Sequence, residues 1–176
     1  LIVVGYFLAV VFSLQNPWAV LAVLAIMLTI AAVVAKNRIN PHNPRLFLGL
    51  WLSLGASTAL GLSYSLAVII QPPLWYSPQY LIPLTGMVLG NTMNSASLAG
   101  ERLASAIQQN PREIETHLCL GASPLQAIAV YRRAAIRASL IPTINQMMVV
   151  GLVSLPGMFT GQVLAGGDPL NAAVYQ

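Results

Sequence analysis

The chain has 176 residues, of which 57% are hydrophobic and 7% charged, with a formal net charge of +4 and a mean hydropathy of +0.74. Soluble globular domains use about 45–50% apolar residues, so this composition excludes an ordinary soluble domain and indicates an integral membrane protein. A single Cys excludes an internal disulfide or a CxxC metal or redox pair, and basic residues without interleaved aromatics exclude a nucleic-acid partner.

In chain order, Leu1–Ser13 is apolar but short of the roughly 20 residues a helical crossing needs, and reads as the end of a truncated helix. Trp18–Ala35, Leu46–Ile70, residues 80–100 and Leu140–Ala165 each approach or exceed that length, and LNAAVYQ at 170–176 begins a further helix. The expected fold is all-α: a polytopic membrane helical bundle forming a single transmembrane domain over residues 1–176, cut at both ends. The eight basic residues occupy two connections, Lys36, Arg38 and Arg45 in one and Arg102, Arg112, Arg132, Arg133 and Arg137 in the other. Positive residues accumulate on the cytosolic side, which places 36–45 and 101–137 inside the cell. The outer loop QPPLWYSPQY offers Trp75, Tyr76 and Tyr80 to the headgroup layer. Asp168 precedes Pro169 and reads as a helix cap, and His42 as a turn residue.

The cytosolic stretch QNPREIETHLCLGASPLQA holds two of the four acids. Asn110-Pro111 marks a helix start, with Glu113 and Glu115 expected in the first turn, where acids suit the helix dipole. Gly121, Ala122, Ser123 and Pro124 break that helix. Ser123 is the expected N-cap and Pro124 the first residue of a second helix, LQAIAVYRRAAIR, whose cations gather toward its far end. His117 and Cys119, two apart, point to different faces and make a poor metal pair. The sole lysine, Lys36, lies outside any phosphate-binding loop, so this chain cannot hydrolyse ATP by itself.

The membrane helices carry polar and small residues in register. Gly86 and Gly90 form a Gly-x-x-x-Gly pair whose stripe continues through Asn94 and Ser97 to Glu101. Met87, Asn91, Asn94 and Ser95 share a neighbouring face that serves either interhelical packing or a translocation path, to which Asn145 and Gln146 add amides in the last span. Pro156 and Gly157 interrupt that span, and with Gly161 they read as a packing kink or a gating hinge.

The spacing Glu115-x5-Gly121 followed by Ala-Ser-Pro resembles the cytosolic E-A-A-x-x-x-G loop of ABC transporter permeases, with Thr116-His117 where that motif has two alanines. LIPLTGMVLGNTMN, LGASPLQA, RAAIRASLIPTIN and VGLVSLPGMFTGQVLAGGDPLNAAVYQ are similar to successive signatures of the FetB-type permease family, which includes bacterial iron-export permeases and plant permeases linked to aluminium tolerance. The resemblance implies a non-catalytic permease in the plasma membrane, the inner membrane of a bacterium. It further implies a homodimer, a separate ATP-binding subunit that carries the ATP and Mg and docks on the 110–137 loop around Glu113, Glu115, Gly121, Ala122, Ser123 and Pro124, and export of iron, another metal ion or a small solute. No cofactor of this chain's own is expected, and the surrounding partner is the lipid bilayer. Where family members commonly have an Asp and, three residues later, a Lys, this chain has Asn145 and Met148. The other reading from the residues is a self-contained carrier or structural membrane protein, in which 101–137 only links helices.

Overall fold

The computed structural model describes residues 17–41, 44–70 and 78–149, together with positions 161, 163 and 166. Helix α1 (Pro17–Ile39) opens on a proline, whose missing N–H costs nothing in a first turn, and closes with Lys36 and Arg38 at its negative dipole end. Helix α2 (Arg45–Tyr64) runs on into a π-helical turn, Ser65–Ile70. Helix α3 (Pro78–Gln109) has 32 residues, about 48 Å at 1.5 Å per residue, and so outlasts the roughly 30 Å hydrocarbon layer. Three helices follow: α4 (Pro111–Cys119), the single turn α5 (Pro124–Ala127) and α6 (Ala129–Val149). No strand occurs among the described residues, in keeping with the all-α expectation.

Pro17–Ile39 and Leu46–Val68 are long and apolar enough to cross a membrane. The third expected crossing lies within α3, and the fourth begins in α6, which is described as far as Val149. The partial helix at 1–13, most of the outer loop, His42, Pro156, Gly157, Asp168 and the start at 170 lie outside the described residues.

Helix α3 sits between α1 and α2 on one side and α6 on the other. Against α1 the seam is closed by small residues. Ala31, Ala32 and Ala35 are buried together with Leu54 of α2 and Leu89 of α3, and Met27, Trp51, Met93 and Ala96 pack around them. A second cluster, Val20 with Leu81 and Ile82, holds the other end. Glycine permits the approach at two points. A Cβ on Gly86 would meet Met27 Cε at 3.4 Å, and one on Gly100 would fall 2.5 Å from Ile39 Cδ1. At the Ile39 end of the seam Arg38 Nε lies 3.4 Å from Glu101 Oε2. The outward faces are apolar: Trp18, Ile26, Leu52 and Leu60 are all more than half exposed, a surface suited to lipid.

Two local expectations change. The second cytosolic helix was expected to be separate from the span at Leu140; instead α6 passes from Ala129 to Val149 without a break, and the chain bends at Ile128. From Ala129 to Leu140 the sequence has no Gly or Pro, so nothing there stops helix propagation, and the water boundary is a change of side chain alone. Glu115 falls in the second turn of α4, because the helix starts at Pro111 and only Glu113 lies in the first.

Candidate functional site

The unit at residues 110–137, expected on the cytosolic side, is built by its helix ends. Asn110 occupies the N-cap position of α4 with Pro111 at N1, and its Nδ2 reaches back 3.0 Å to the Ala106 carbonyl at the end of α3. At the far end of α4, Gly121 takes φ +89°, the left-handed conformation glycine adopts without strain. Gly121 N donates to Leu118 O at 3.0 Å and Ala122 N to His117 O at 3.1 Å, the two bonds of a Schellman ending. Two residues on, Ser123 is extended (φ −69°, ψ 156°), Pro124 takes N1, and the Ser123 N–H donates to Gln126 Oε1 at 2.8 Å. The expected caps at Asn110, Gly121, Ser123 and Pro124 are therefore where the spacing put them.

One contact closes the unit. Tyr131 Oη donates to Glu113 Oε2 at 2.6 Å and so ties α4 to the start of α6. This hydrogen bond, then burial and the Glu113 charge, raise the Tyr131 pKa above its ordinary 10.0. The sequence places Glu113 in the first turn of α4 and in the expected docking loop but does not disclose its aromatic partner, which lies 18 residues away and gives no periodic signal. Around the turn, Leu118, Leu120, Leu125 and Val130 are exposed, from 41% at Leu118 to 79% at Leu120. Glu115 is exposed as well, and Ala122 half-buried.

In the membrane helices the two stripes of α3 separate. Gly86, Ser97 and Glu101 belong to the α1 seam: Ser97 is 1% exposed, its hydroxyl without a partner among the described residues, and Glu101 meets Arg38. Gly90 has open space where its Cβ would be, so the Gly-x-x-x-Gly pair does not act as one contact within this chain. Met87, Asn91 and Asn94 form an uncovered face. Beside it Ser95 Oγ lies 3.4 Å from Thr143 Oγ1 of α6, fixing the level at which the two helices meet. Asn145, Gln146, Met147 and Met148 are exposed within the next two turns of α6. At 1.5 Å per residue along each helix, Asn91 and Asn94 fall within about 6 Å along the axis of the Ser95–Thr143 level, as do Asn145 and Gln146. Among the described residues these four amides have no hydrogen-bond partner. Gly161 is helical and exposed. No cluster of three or more His, Cys, Asp or Glu side chains occurs among the described residues.

A helical bundle in which two of the described helices are long and apolar enough to cross a bilayer defines an all-α membrane protein. The chain belongs to the family described as "Uncharacterised protein family (UPF0014)", which it matches over residues 1–176. It is 87% identical over 176 residues to a UPF0014 membrane protein of Synechocystis sp., covering all of this chain and 68% of that one. It is 36% identical to the "Probable iron export permease protein FetB" of Escherichia coli, over 100% of this chain and 66% of the relative. With "Protein ALUMINUM SENSITIVE 3" of Arabidopsis thaliana the identity is 34%, over 99% and 62%. The chain thus spans about two thirds of the length of these relatives. No solved structure matches it.

Proposed function

We propose that the chain is the membrane permease portion of an ATP-driven exporter whose ATP-binding subunit docks on residues 110–137. The observation that carries this reading is the capped turn itself. A linker between two membrane helices needs neither a Schellman ending, nor a second cap two residues after Gly121, nor a hydrogen bond bracing α4 against α6. A surface that must transmit force to a partner needs a rigid shape and exposed apolar anchors, and Leu118, Leu120 and Leu125 supply them on both sides of Gly121. The iron-export name of the Escherichia coli relative supports a metal ion or small solute as cargo. The cargo's route runs along Met87, Asn91, Asn94, Asn145 and Gln146, whose uncovered amides at membrane depth require a protein or water neighbour. A second permease copy meets that need. With no carboxylate or imidazole in these described faces, a metal would be held weakly in passage, as release on the far side requires.

Substitution at the turn tests the proposal. Val at a left-handed position costs about 1–2 kcal/mol and distorts the Schellman ending. In the full-length protein, Gly121→Val should lose co-purification with the ATP-binding subunit and the stimulated ATP hydrolysis, while Gly121→Asn retains most of both. Equal association of Gly121→Val and the native protein would sink the docking role.

A further inference from the structure

Beyond the Ser95–Thr143 contact, toward Gln109 and Tyr131, α3 and α6 line a cleft of about 310 Å³. Its α3 wall presents Arg102, Ser105 and Gln109, and its α6 wall Tyr131 with Ala134 and Ala138. On each helix these residues recur at the three- and four-residue spacing of one face. We infer that this cleft holds the phosphate headgroup of an anionic phospholipid from the inner leaflet.

Its level in the membrane comes first. If α3 enters the hydrocarbon near Tyr80, about 20 residues carry it to Gly100, and the Arg38–Glu101 ion pair marks the adjacent inner boundary on two helices at once. Arg102 is the next residue. The membrane-proximal end of the cleft therefore opens among headgroups, and the cleft extends about 10 Å further, to Gln109.

Charge and donors fit a phosphate. Arg102 is exposed and has no ion-pair partner among the described residues, and its planar fork matches phosphate oxygens. Ser105 Oγ accepts from Gln109 Nε2 at 3.0 Å, which leaves the Ser105 proton to donate toward the cleft. Glu113, the carboxylate that could repel an anion, is engaged by Tyr131 at the opposite, cytosolic end. The alanine wall leaves room for the headgroup and the upper part of an acyl chain without a polar partner to satisfy. Basic pockets between transmembrane helices on the cytosolic side are a recurrent setting for anionic headgroups. The inference does not involve the proposed cargo route, and it shares Tyr131 and Ala134 with the proposed docking segment, so lipid retention is read on the protein without an ATP-binding subunit.

The test uses the full-length protein reconstituted in phosphatidylcholine containing a minor share of phosphatidylglycerol. After detergent washing, each lipid retained per protein is measured by mass spectrometry. Native protein should retain phosphatidylglycerol over phosphatidylcholine. Arg102→Gln should cut that retention about fivefold, the effect of one basic residue near the surface, and Ala134→Leu should do so by filling the cleft. Arg102→Lys should hold most of it, and Arg133→Gln, off the cleft, should hold all of it. Melting temperatures of the variants report folding, and if Ala134→Leu fails to fold, the Arg102→Gln and Arg102→Lys pair decides alone. Retention unchanged in Arg102→Gln would overturn the inference. So would native protein that retains phosphatidylglycerol no better than phosphatidylcholine while binding soluble glycerol phosphate, because the anion held would then be a cytosolic solute.

Discussion

The seam between α1 and α3 and the turn between α4 and α5 are both tight, yet they are tight for different reasons. At the seam the limiting quantity is volume: Ala32 and Ala35 are fully buried, and Gly100 stands where a Cβ would run into Ile39. At the turn it is backbone conformation, since a Cβ on Gly121 would meet nothing within 4 Å and only its φ of +89° demands glycine. The same residue type thus answers two problems. In a bilayer, apolar side chains gain little by leaving lipid for protein, so close backbone approach does the holding. In water, a short helix pair must satisfy its own backbone ends.

That contrast can be broken at its ends. Enlarging the seam should have the largest effect on stability. Ala35→Leu places a branched side chain in a fully occupied site and should lower the melting temperature of the full-length protein by an amount corresponding to about 1–3 kcal/mol. It should leave the α4–α5 turn intact, as judged by its resistance to proteolysis. A seam that accepts leucine without loss would mean that volume does not limit it.

The uncovered polar face sharpens the contrast, because its residues contribute neither volume to the seam nor caps to the turn. Asn91→Leu combined with Asn94→Leu should reduce transport several-fold with melting temperature and oligomer size unchanged. Loss of assembly with transport per assembled complex preserved would reassign both amides to helix packing.

The smallest effect is expected at the brace. Tyr131→Phe removes one exposed hydrogen bond to a carboxylate, and should loosen the α4–α6 contact, seen as faster amide exchange over residues 111–119. The pH dependence follows from the raised Tyr131 pKa. A group whose pKa is raised on folding gives stability that is complete below its ordinary value of 10.0 and is lost as pH rises through the raised one. The brace should therefore persist through the physiological range and fail only above pH 10, and protection of α4 that already declined near neutrality would contradict its role.

Much of this was legible in the residues. Hydropathy placed α1 and α2, and the Asn-Pro, Gly and Ser-Pro signals placed both ends of α4 and the start of α5, because those depend on neighbours a few positions away; the end of α5 at Ala127 carried no such signal. The continuity of α3 to Gln109 and of α6 from Ala129 was hidden, since a change from apolar to polar side chains looks like a boundary although the backbone crosses it unbroken. Also hidden were the pairs Arg38 with Glu101 and Tyr131 with Glu113, which depend on how helices are brought together. The face of α3 that meets α1 could be narrowed to two neighbouring stripes by spacing, and only packing separated Gly86 and Ser97 from Asn91 and Asn94.

The central claim, that the turn unit receives an ATP-binding subunit, is tested most directly at Cys119. This exposed thiol ends α4, two residues before Gly121 and beside the exposed Leu118 and Leu120. Maleimide labelling of Cys119, followed on its own peptide by mass spectrometry, can be timed in membranes containing the full-length protein with and without a co-expressed candidate ATP-binding subunit. The account predicts that assembly slows labelling at least severalfold, and that Gly121→Val restores the rapid rate. Labelling at the same rate with and without a subunit that demonstrably co-purifies would contradict it.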